Sequence, residues 1–140
     1  MNPIRSVIAV LVGFFVFGLL WRAMMSPIAG SDPLTFLALG PARAAVFIVI
    51  QGVAGILSGY LAGRVAGSRE RAHGAWLAGL YAVAMIWGFL VTPEAAQVPR
   101  WMQIATVVVV AGTMFAGAAV RGRAASVHSE PAAARPGERS

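Results

Sequence analysis

The side chains able to do acid–base, metal or ion-transfer chemistry are few in this chain, and their positions carry information. The acids are Asp32, Glu70, Glu94, Glu130 and Glu138, and the histidines are His73 and His128. There is no Cys, which removes disulfides, thiol nucleophiles and Cys-based metal sites. None of the acids falls within the long apolar runs, and the chain has no Lys at all. Ionisable groups inside apolar spans are the usual mark of an ion or proton path across a bilayer. Here that mark is missing. A haem or chlorophyll would need an axial ligand at membrane depth, and no run offers a His there. His73 sits in the short basic turn GSRERAHG and reads as a solvated turn residue or a helix-entry group. Ser58 has no evident base, so no Ser/His/Asp set suggests hydrolysis. The residues therefore point to no catalytic, cofactor-binding or metal site.

The polar groups that do fall in the apolar runs are Gln51, Ser58, Thr106 and Thr113, with Gln103 near one end. Each could line a polar passage. Each is also what hydrogen bonds between membrane helices use, at about 0.6 kcal/mol apiece, and that plainer reading is preferred. A stronger pattern is Gly55, Gly59, Gly63 and Gly67, spaced every fourth residue in GILSGYLAGRVAG. On a helix this spacing places the glycines in one groove along one face. Gly costs a helix nearly 1 kcal/mol per site relative to Ala, so the row implies a compensating close approach of backbones, as in glycine-mediated packing of membrane helices. Gln51 and Phe47 extend the row. The partner expected from sequence is the next span, which carries two small-residue rows, Ala75/Gly79/Val83 and Gly74/Ala78/Ala82, beyond a short turn. A contact with a second copy or another membrane protein is the other reading.

The elements that must carry these residues are read from hydropathy. The chain has 140 residues, 59% of them hydrophobic and 11% charged, against about 25% charged in a soluble domain. Four nearly charge-free stretches, at about 6–25, 44–66, 75–91 and 101–120, approach the roughly 20 residues that cross about 30 Å of hydrocarbon. The expected fold is an all-α integral membrane protein, a bundle of four transmembrane helices filling residues 1–120. The first stretch also resembles a signal peptide, but no small-x-small cleavage site follows it. Between the first two spans, Ser31 or Asp32 can cap a helix that has Pro33 at its first position and ends at Gly40-Pro41. A short interfacial helix is expected there, as a staple rather than a lid. In the second loop Thr92 can cap, Pro93 can open a turn and Pro99 can stop it. The span-four pair Gly112/Ala116 is a further small-residue contact. From Arg121 to Ser140 the chain turns to Ala, Pro, Arg, Gly and Glu, and reads as a disordered tail.

All the positive charge comes from Arg. With the N terminus inside, Arg5, Arg64, Arg69, Arg71, Arg121, Arg123, Arg135 and Arg139 are cytoplasmic, and Arg22, Arg43 and Arg100 lie outside. That is a positive-inside bias. Trp21, Trp87 and Trp101 then fall near the outer interface and Tyr60 and Trp76 near the inner one, as aromatic belts do. The sequence pI of about 11.6 is accounted for by headgroup contact and topology, so nucleic acid is not an expected partner. The lipid bilayer is, together with a second copy or a larger membrane complex.

The segment GYLAGRVAGSRERAHGAWLAGL, Gly59 to Leu80, resembles a pattern in small bacterial four-span membrane proteins of unassigned function, in which a GY-x-AGR-x-AG helix end meets a basic turn and a His-Gly entry into the next helix. The resemblance implies a bacterial inner-membrane protein and supplies no catalytic residues. Four-span drug/proton antiporters of the small multidrug resistance type rely on an embedded Glu that this chain lacks. The Asn and paired-Phe pattern of small fluoride channels is missing too. The functional expectation is a non-enzymatic membrane protein, an accessory subunit or scaffold. A small oligomeric transporter or channel is the alternative.

Overall fold

The computed structural model describes residues 3–30, 40–67, 69–93, 95 and 98–128. These residues form an all-helical bundle of α1 (Pro3–Ala29), α2 (Pro41–Ala66), α3 (Glu70–Val91) and α4 (Arg100–His128). All four helices are long and apolar enough to cross a membrane. Even α3, with 22 residues, rises about 33 Å at about 1.5 Å per residue. The interfacial helix expected around Pro33 lies outside the described residues.

Local chemistry explains most of the boundaries. Pro41 follows Gly40 and opens α2 with its φ already set for a helix. Gly67 closes α2 in the left-handed region (φ 69°), its N–H donating to the Gly63 carbonyl at 3.2 Å. Arg69 (φ 51°) turns the chain directly into α3. This helix starts before the expected Ala75, because Glu70, Arg71 and Ala72 are good helix formers and Glu70 complements the N-terminal dipole. At the far end Thr92 is extended (ψ 113°), the conformation a following proline imposes. Pro99 opens α4, its carbonyl accepting from Met102 N–H at 2.9 Å. Two helices outrun expectation at their C-terminal ends. α1 continues through Pro27 to Ala29. α4 passes the expected end at Val120 and reaches His128, with Arg121, Arg123, Ala124 and Ala125 offsetting the weak helix former Gly122.

Contacts along the helices give their directions. Gly55, Gly59 and Gly63 meet Val110, Met114 and Ala118 in turn, so α2 and α4 run parallel. Gly13 faces Leu77, and Phe17 packs on Tyr81 with ring centroids 4.4 Å apart, so α1 and α3 run parallel as well. Among the described residues the backbones of α1 and α4 do not approach each other, and α2 is the central helix. Half of its apolar window is buried, against 17% for α1. A core cluster of Phe17, Ala54, Ala62, Leu77, Tyr81 and Met114 draws on all four helices. A second, of Met25, Phe47, Ile50, Val98 and Met102, closes the opposite end from the α2–α3 turn. Between arginine-bearing ends the outer surface is largely apolar: Phe15, Leu19, Trp76, Trp87, Leu90 and Trp101 are all exposed.

Candidate functional site

The tightest feature of the bundle is the α2–α4 seam. A Cβ added at Gly59 would fall on the Met114 backbone, touching its carbonyl oxygen and coming within 2.9 Å of Cα. The contact is reciprocated. A Cβ at Gly117 would meet the Ile56 carbonyl and come within 2.9 Å of the Tyr60 nitrogen. Gly55 faces the Thr113 side chain, with the Val110 carbonyl 3.3 Å from its Cβ position. Gly63 is looser: Glu70, Ala118 and Arg121 lie at 3.4–3.5 Å, ordinary contact distance. Gly67 has a different job, ending the helix. The Arg5 guanidinium covers that end, its Nε donating to the Val65 carbonyl at 2.9 Å, where a cation meets the negative end of the dipole.

The partner of the glycine face is thus α4, where the sequence pointed to span three. Ala75, Gly79 and Val83 point outward. Gly74 and Ala78 are buried, and Gly74 packs on Ala118 of α4 rather than on α2. In α4 the expected pair Gly112/Ala116 faces away from the seam, since Gly112 has open space and Ala116 is exposed. Gly117, not singled out in the sequence, takes the contact. In the sequence it stands one residue beyond Ala116, the row partner of Gly112. Gly13 was missed as well; its Cβ position is 2.9 Å from Ala62 Cβ.

The polar groups are not strung into a passage. Ser58 Oγ donates to the Gly55 carbonyl (3.0 Å), and Thr113 Oγ1 bonds the Val109 and Val110 carbonyls (2.7 and 3.0 Å). These bonds lie within one helix, whereas bonds between helices were expected. Gln103 Nε2 donates to the Ala95 and Val98 carbonyls, both at 2.9 Å, tying the second loop to α4. Gln51 is different. It is 2% exposed, and its Oε1 finds no hydrogen-bond partner among the described residues; neither does Trp21 Nε1. Both residues neighbour Phe47, whose ring Trp21 meets edge-on at 6.2 Å. An unmet buried acceptor costs about 1–3 kcal/mol. Gln51→Met, which keeps the volume and removes the amide, should therefore raise stability in detergent by about 1 kcal/mol; a lower unfolding midpoint would mean that the amide is satisfied.

The bundle is open along α1 and α3. A groove of about 510 Å³ runs between them, lined by Ser6, Val7, Val10 and Leu11 of α1 and by Arg69, Ala72, His73, Trp76 and Leu80. His73 is buried (5% exposed) in the first turn of α3, the helix-entry position of its two readings, and not the solvated turn. Its Nδ1–H donates to the Arg69 carbonyl at 3.0 Å. A smaller apolar cleft of about 270 Å³ lies between α3 and α4 at the opposite end, walled by Ile86, Phe89, Leu90 and Ile104 among others. Among the described residues no group of His, Cys, Asp and Glu is arranged to hold a metal ion. Comparison with protein-family models, curated proteins and solved structures finds no match for the chain.

Proposed function

We propose that the chain is an integral membrane protein of the bacterial inner membrane, with both termini cytoplasmic, that serves as a non-enzymatic accessory subunit or scaffold. The observation that supports this best is how its surfaces are divided. The glycines that meet another helix's backbone, Gly55, Gly59 and Gly117, lie on the α2–α4 seam inside the bundle, while large apolar side chains face outward on every helix. Such a body is held rigid by its own backbone contacts and presents hydrocarbon to its surroundings. The apolar runs also hold no Asp, Glu or Lys for proton coupling.

The deciding experiment is purification from native membranes in mild detergent. A larger membrane protein recovered in stoichiometric amount supports the accessory role. Solute or ion flux by the pure protein in liposomes would replace it with the oligomeric transporter or channel. Sidedness is checked by cysteine labelling in the Cys-free background. Cys at Ser68 should react only from the cytoplasm, and Cys at the exposed Ala42 only from outside. Ala95 is unsuited because it is buried. Labelling of both sites from one side would end the four-span topology.

A further inference from the structure

We propose that the groove between α1 and α3 binds an anionic phospholipid, with the phosphate at Arg69 and Ser6 and an acyl chain along Val10, Leu11, Trp76 and Leu80. The site goes beyond the scaffold reading and rests only on its membrane placement. The volume of about 510 Å³ falls in the range of about 300–1,000 Å³ usual for small-ligand sites.

Its lining is graded as an amphipathic anion requires. Ser6, Arg69 and His73 come from the opening turns of their helices, and Leu11 and Leu80 lie further in. Because α1 and α3 run parallel, both helix N-termini stand at this mouth and add their positive dipole ends to the Arg69 charge. The nearby acid, Glu70, sits on the other side of α3, against Gly63 and Gly122, so it does not neutralise the mouth. His73 gives Nδ1–H to the Arg69 carbonyl, which steadies the turn carrying Arg69 and leaves Nε2 as the ring atom able to meet an occupant. The apolar wall faces outward, with Val7 59%, Leu11 46% and Trp76 74% exposed, so a chain can enter sideways from the bilayer. Charge favours a lipid over a second copy of the protein. A two-fold pairing across this groove would set the two cationic mouths side by side.

The test uses the full chain, delipidated in neutral detergent, with native mass spectrometry and thermal unfolding as readouts. Phosphatidylglycerol should remain bound and raise the unfolding midpoint more than phosphatidylcholine of the same acyl composition. Arg69→Asn keeps a residue that tolerates the left-handed backbone and should weaken phosphatidylglycerol about tenfold. Arg22→Asn, at the other end of α1, should leave binding unchanged. Ala72→Trp fills the slot and should abolish lipid retention. In case it perturbs packing, Trp76→Ala at an exposed position should lower affinity for the whole lipid without altering headgroup preference. The site is overturned if wild type treats the two lipids alike, if Arg22→Asn costs as much as Arg69→Asn, or if glycerol phosphate alone competes as well as the intact lipid. Release of the protein from membranes by alkaline carbonate would overturn the membrane placement and the site with it. Protein that stays embedded yet shows no lipid preference overturns the site alone.

Discussion

Gly59→Ala should destabilise the bundle by about 2–3 kcal/mol, and Gly59→Ile should prevent it from folding. The expected cost sits at the upper end of the range for overpacking, because the atoms in the way are the Met114 backbone rather than a side chain that could rotate aside. The only route to relief is to move α2 and α4 apart, which loosens the whole seam. Alanine recovers nearly 1 kcal/mol of helix propensity, and that gain is smaller than the collision. Gly63→Ala should behave oppositely, neutral or slightly stabilising, since its Cβ would meet only ordinary contacts at 3.4–3.5 Å. Leu57→Ile, on the exposed side of α2, should stay near wild type. Unfolding midpoints of the monomer in detergent separate these cases. Equal losses at Gly59 and Gly63 would mean that the helices approach uniformly along the row. A loss of association with monomer stability intact would place the contact between chains.

The second large effect is expected on the other side of the same seam. Gly117→Ala should cost as much as Gly59→Ala, because its Cβ would meet the Ile56 carbonyl and the Tyr60 nitrogen. Gly112→Ala, one position out of register, has open space and should gain up to about 1 kcal/mol from propensity alone. The contrast is sharp because both substitutions add the same methyl to the same helix. Combining Gly59→Ala with Gly117→Ala should cost less than the sum of the two, since one separation of the helices relieves both collisions. If Gly112→Ala proves the damaging change, α4 is rotated from the orientation described here.

How far the sequence reached can be judged residue by residue. Four helical stretches were legible, because runs without charge and nearly 20 residues long have few other stable forms. Gly67 was legible as part of a spacing pattern, but its role as a helix terminator was not. A glycine at the fourth step of a row looks the same whether the helix continues or stops. Of the two readings of His73, the helix-entry group holds and the solvated turn does not, because Glu70, Arg71 and Ala72 start α3 early and carry the ring inside. The α1–α3 groove had no linear signature. Its walls lie on helices separated in sequence by all of α2, and Trp76 read as an aromatic-belt residue at the inner interface.

By itself, the sequence determined four long apolar helical stretches and an apolar exterior, and it pointed to a close backbone contact on the Gly55–Gly59 face. These follow from composition, from period and from the local cost of glycine in a helix, all of which act within one element. Only the tertiary structure decided that α4 fills that face, that Gly117 rather than Gly112 meets it, and that a groove opens between the N-terminal turns of α1 and α3. Several small-residue rows could each have paired with α2 at similar local cost. The choice among them depends on the simultaneous fit of all four helices, which turns the Gly117 face of α4 to α2 and the Gly112 face away.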